Sequence, residues 1–87
     1  MIQVNVNNND TADIFVSMVD NNTQPPAQVM NSQRLNAQSA AVQVSLQEDG
    51  NGSGNVTWTA VRCADSTISK QETDTPANLD TVQVSAL

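Results

Sequence analysis

Eighty-seven residues, 38% of them hydrophobic and 14% charged, suffice for one small domain and no more. Three cations, Arg34, Arg62 and Lys70, stand against nine carboxylates for a net charge of −6, which argues against a nucleic-acid surface and against attraction to an anionic bilayer, and no apolar run is long enough to cross one. With no His and a single cysteine, Cys63, the chain lacks an internal disulfide, a Cys/His zinc site and an imidazole base.

Much of the remainder is polar without charge: 36 of the 87 residues are Asn, Gln, Ser or Thr. The apolar residues fall in short alternating runs, a pattern that marks half-buried strands and that a disordered chain has no reason to show. Ile2, Val4 and Val6 alternate with Gln3 and Asn5 in a first strand. Asn7-Asn8-Asn9-Asp10-Thr11 is a turn-forming cluster. The second strand runs from Ala12 to Val19, with Ile14, Val16 and Met18 on one face and Phe15, Ser17 and Val19 on the other. Asp20 to Pro26 is a loop, because its double proline cannot sit inside a ladder. Val29 and Met30 mark a short third strand, and residues 31–38 read as a connection. Ala40 to Leu46 is the fourth strand. The segment Glu48 to Asn55 holds all three glycines and reads as a plain hairpin loop. Asn55 to Cys63 is the strongest strand, and its Trp58 is expected to anchor the core. Ser66 to Lys70 is a weak strand around Ile68, Gln71 to Asn78 a polar loop, and Thr81 to Ala86 the last strand.

Six or seven short strands with polar loops and no helical stripe predict an all-β fold. The expected architecture is an antiparallel β-sandwich of immunoglobulin-like or related Greek-key topology over residues 1–87, with a small barrel as the second choice. Three segments resemble one another at forty-residue intervals: Ile2-Gln3-Val4-Asn5-Val6, Val42-Gln43-Val44-Ser45-Leu46 and Val82-Gln83-Val84-Ser85-Ala86. Half-buried strands in a Gln/Ser-rich chain look alike without duplication, and that is the reading adopted.

For metal, Asp49-Gly50-Asn51-Gly52-Ser53-Gly54 opens like a calcium loop, but its twelfth position is Ala60 where a bidentate Glu is required. Topology makes a different calcium argument. If seven strands alternate up and down, the loops after the second, fourth and sixth share one end of the sandwich. Asp20, Glu48, Asp49, Glu72, Asp74 and Asp80 then collect at one pole as candidate calcium ligands. Asn-x-Ser/Thr sequons at Asn9, Asn21, Asn51 and Asn55 are read as chance. Ser69-Lys70 has no third catalytic partner. A glycosidase carboxylate pair needs an aromatic cleft that one Trp and one Phe cannot build. Phe15, out of phase with Ile14 and Val16, is the candidate for an exposed or interface aromatic. Cys63 is read as a small buried hydrophobe.

The Asn-rich first loop, Asp20-Asn21-Asn22-Thr23, Gln33-Arg34-Leu35-Asn36 and the run Gly50-Asn51-Gly52-Ser53-Gly54-Asn55-Val56-Thr57-Trp58-Thr59-Ala60 together resemble small all-β bacterial proteins without an assigned biochemical role, some of them studied as immunogenic antigens. The resemblance implies a sandwich-like fold and carries over no catalytic or binding residue.

The sequence is therefore read as a non-enzymatic structural or interaction module without cofactor. It is expected to meet a protein partner or host surface through polar loops or through strand pairing at the first and last strands, taken as sheet edges. The alternative is a calcium-dependent ligand or carbohydrate binder using the acidic pole. Composition leans towards a secreted or surface setting. Met1 runs straight into the first strand, so no signal peptide is expected in this chain.

Overall fold

The computed structural model describes residues 1–87 as seven strands and no helix: β1 (Ile2–Asn8), β2 (Ile14–Asp20), β3 (Ala27–Leu35), β4 (Val42–Leu46), β5 (Val56–Arg62), β6 (Ser69–Asp74) and β7 (Thr81–Val84). They form two packed sheets. One has three strands in the order β4-β1-β7, the other four in the order β3-β2-β5-β6. Every pairing is antiparallel except that of β1 with β7. This is a small β-sandwich. In the immunoglobulin arrangement the first two strands share a sheet, whereas here β1 and β2 lie in opposite ones.

Alternation produces the core. Val4, Val6, Ile14, Val16, Met18, Val56, Trp58, Ala60 and Val84 are buried from the two facing sheets while their strand neighbours point outward, as a two-residue period requires. Trp58 keeps 1% of its surface exposed, so the indole is the core anchor expected of it. Its Nε1 donates to Asp74 Oδ2 at 2.7 Å, which satisfies the one polar group that an indole brings into a core.

β1 runs on through Asn7 and Asn8, which were expected in the turn after it, and two more strands depart further from the sequence reading. β3 is one nine-residue strand where a short strand and a connection were expected. Its inward residues Met30 and Leu35 are five apart, a spacing that strict alternation forbids. Register shifts against β2 on both sides of Met18 and the positive φ of 47° at Ser32 supply the odd residue, as a bulge does. The Ser32 N–H set free there donates to Ser17 Oγ at 3.0 Å. β6 runs from Ser69 to Asp74, several residues beyond the expected Ser66 to Lys70. It takes in Gln71, Glu72, Thr73 and Asp74, where a polar loop was expected.

The segment between β4 and β5 is likewise no hairpin, because those strands belong to opposite sheets. It is a crossover, and of its three glycines only Gly52 uses a positive φ, 80°. The first strand is not an edge either: β1 is central, between β4 and β7. The last strand is an edge, as expected. The three look-alike segments turn out to be the three strands of the smaller sheet. Gln3 faces Ser45, Asn5 faces Gln43 and Thr81, and Asn7 faces Gln83 across the ladders.

Candidate functional site

The strands alternate in direction as the calcium argument assumed, and the loops after β2, β4 and β6 do share one pole. Asn22 Nδ2 donates to the carbonyls of Gln47 and Ser53, and the Gly54 N–H donates to the Pro76 carbonyl at 2.7 Å. The carboxylates at that pole are nevertheless occupied one by one. Asp20, fully buried at the end of β2, accepts the N–H groups of Asn22 and Gln47 at 3.0 and 2.8 Å. Glu48 lies 3.5 Å from the Met1 amino group. Asp49 accepts the Asn51 and Ser53 N–H groups, and these hold its carboxyl below the usual range. Asp74 accepts the Trp58 indole, and Asp80 accepts the Ala77 N–H at 2.9 Å. Glu72 is away from the pole, within β6 and opposite Trp58, where it pairs with Lys70 at 3.2 Å. Nowhere do three or more acidic, His or Cys side chains converge on a point that a metal ion would occupy.

The carboxylate that organises the molecule is Asp10, which the sequence reading left in a turn. Its side chain is completely buried, and Arg62, 20% exposed, reaches it from the end of β5 at 2.6 Å. The same carboxylate accepts Ala12 N–H at 3.1 Å, Ser85 Oγ at 3.3 Å and Ala86 N–H at 3.0 Å. The Arg62 hydrogen bonds lead, and together with the Ala86 and Ala12 N–H groups they outweigh burial and lower the Asp10 pKa to about 2. Asn8 completes the corner. Its Nδ2 donates to the Ala12 and Leu35 carbonyls, and its Oδ1 accepts the Asp10 N–H. Asp10 thus ties the β1–β2 turn to the end of β5 and to the segment after β7. No local pattern announces this, because Arg62 is 52 residues away.

Beside Asp10 the sandwich is open. A cleft of about 340 Å³ lies between β6 and β7, reaching Asn9, Trp58, Lys70, Glu72, Gln83 and Ser85. It holds two carboxylates, those of Asp10 and Glu72, but they do not make an acid–base pair. Asp10 is a saturated anion that cannot exchange a proton near neutral pH, and general acid catalysis needs a group that titrates near the working pH. Cys63 is elsewhere, just past β5, where it is half-buried and not the fully buried side chain expected. Phe15 is 38% exposed on the outer face of the larger sheet, opposite Val61 and Arg34.

The two sheets differ in how they guard their edges. Exposed edge strands carry unpaired N–H and C=O groups, and proteins blunt them with charge, proline, bulges or inward-pointing ions. In the larger sheet, β3 has its bulge and β6 points Lys70, Glu72 and Asp74 to the same side as its buried partners Ala60, Trp58 and Val56. In the smaller sheet, no residue of β1, β4 or β7 is charged. Its outer face carries Gln3, Asn5, Asn7, Gln43, Ser45, Thr81 and Gln83, cross-linked by Asn7 Nδ2 to Gln83 Oε1 at 2.8 Å and by Ser45 Oγ to Gln3 Oε1 at 3.0 Å. Its edges β4 and β7 contain neither a proline nor a register shift.

No family model, curated protein or solved structure matches the chain.

Proposed function

We propose that this protein is a non-enzymatic interaction module that binds a protein partner by strand addition to the edges of its three-stranded sheet. The observation that carries the reading is the complete absence of charge from β1, β4 and β7, in a chain whose other sheet has both edges guarded. Backbone groups at an unguarded edge supply affinity in β-augmentation, and the alternate side chains supply selectivity. The uncharged amide and hydroxyl face beside those edges desolvates at less cost than an ionic one. A composition poor in Lys and rich in Asn, Ser and Thr supports a setting outside the cell, on a bacterial surface or secreted, where the partner is a protein or a host surface.

The test compares capture of partners by the wild-type chain with capture by three variants. Gln43→Lys on β4 and Gln83→Lys on β7 place a charge at the edges of the smaller sheet, and Gln71→Lys places the same charge on β6. Loss of a captured protein with a smaller-sheet variant, and retention with Gln71→Lys, is the expected result. Equal losses in all three, or none, would refute the reading.

A further inference from the structure

The two layers do not match in number: four strands lie over three. The strands of opposite sheets whose backbones come together most extensively are β3 and β4. Counting across from that side sets β2 against β1 and β5 against β7, and leaves β6 with no strand beneath it. The cleft between β6 and β7 is this missing position. Its upper wall is the inward side of β6, which is why that strand places Lys70 and Glu72 where a covered strand would have aliphatic residues.

The lower wall is the free edge of β7. Asn5 and Asn9 donate their N–H groups to the carbonyls of Asp80 and Val84 at 2.9 and 2.8 Å. Val82 and Val84 therefore spend their backbone groups on β1, and alternation along a strand turns those of Thr81 and Gln83 to the open side. Beyond them, Ser85 Oγ and the Ala86 N–H are held by Asp10, so the edge is fixed in position before anything binds.

We infer that this notch is a one-strand-wide binding site for an extended segment of another protein, which pairs with β7 and lies beneath β6, presenting Ser or Thr at its inward alternate positions. The inference rests on the strand-addition reading and names the edge and the ligand chemistry. Lys70 and Glu72 already neutralise one another at 3.2 Å. A charged inward side chain leaves one of the three charges desolvated without a partner, and an apolar one covers both ions with nothing in return. A hydroxyl does neither, since it accepts from the ammonium and donates to the carboxylate. The volume, about 340 Å³, is at the small end of ligand clefts, which suits small side chains. The strand β7 offers four residues, or about 13 Å of ladder.

The probes are three capped hexapeptides, Thr-Val-Thr-Val-Thr-Val and its analogues with Lys or Glu in place of Thr. They are titrated into the isotope-labelled full chain, with amide shifts and hydrogen exchange read residue by residue. The expected result is saturable binding of the Thr peptide, with slowed exchange at Thr81 and Gln83, shifts at Lys70 and Glu72, and at least tenfold weaker binding of both charged analogues. Gln83→Pro, which removes one outward N–H, is expected to abolish binding, with its melting curve confirming the fold. Glu72→Gln retains the backbone edge but removes the carboxylate from Lys70, whose ammonium keeps only its hydrogen bond to the Leu87 carbonyl at 3.3 Å, so it is expected to turn the preference towards the Glu peptide. Shifts at Gln43 and Ser45 instead would overturn the notch while leaving strand addition to the smaller sheet intact. Equal binding of the three peptides, or no binding at millimolar concentration, overturns the inference, and the capture experiment with Gln43→Lys then judges the broader reading alone. Concentration-dependent dimerisation with protection of the same amides, without peptide, identifies a second copy as the occupant and overturns the foreign segment.

Discussion

Asp10→Asn removes the charge from the corner where β1, β5 and the segment after β7 meet. The magnitude follows from linkage. The carboxyl ionises at about 2 in the fold and at 3.8 in a free side chain. Each unit of difference is worth about 1.4 kcal/mol, so the anion contributes about 2.4 kcal/mol, and about 2 kcal/mol once the 20% exposure of Arg62 is allowed for. For a domain of this size that is a fall of about 8–16 °C in melting temperature. Because the folded value is depressed, the contribution is complete above about pH 4, shrinks as pH falls through the interval between 3.8 and about 2, and is gone below it. Urea unfolding followed by the fluorescence of Trp58, the sole and buried tryptophan, measures both proteins at pH 7 and again towards pH 2. Wild type is expected to exceed Asp10→Asn by about 2 kcal/mol at pH 7 and to converge with it in acid. Equal stability at neutral pH would show that Arg62 and the two N–H groups are as well satisfied by water. A gap that persists in acid would show that the loss came from packing and not from charge.

Three further outcomes follow from the same geometry. Millimolar calcium is expected to leave the melting temperature unchanged, since Asp20, Asp49, Asp74 and Asp80 are each engaged separately; a rise with calcium that a chelator reverses would restore the acidic pole as a site, because a ligand of the folded state must stabilise it. Trp58→Ala is expected to cost about 3–5 kcal/mol in urea unfolding followed by circular dichroism, while Trp58→Phe recovers part of the packing but abandons the Asp74 bond. Gly52→Ala is expected to destabilise by about 1 kcal/mol, as its φ is 80°, whereas Gly50→Ala has no neighbour within 4 Å and no positive φ and is expected to melt close to wild type.

The parts of the fold legible in the sequence are those where burial is one-sided and regular. β1, β2, β4, β5 and β7 alternate because each has one face on the core and one in water, and the two-residue period reports that directly. The shared pole of the β2–β3, β4–β5 and β6–β7 loops was also readable, since short strands joined in succession reverse direction. β3 and β6 hid for opposite reasons. β3 carries a bulge at Ser32, which breaks the phase between Met30 and Leu35. β6 keeps its phase, but its inward side overhangs the shorter sheet and so carries Lys70, Glu72 and Asp74 in place of aliphatic residues.

The amino-acid sequence by itself determined the extended backbone, the inward valines, the indole at the centre and the poverty of charge that makes this surface unusual. Tertiary structure alone decided which strands share a sheet, that the three Val-Gln-Val-type strands are neighbours, and that Asp10 meets Arg62 across 52 positions of chain. The physical reason is range. Periodicity and turn chemistry act between residues a few positions apart, whereas sheet assortment, an uncovered strand and a buried ion pair depend on which distant segments pack together, and no local pattern encodes that.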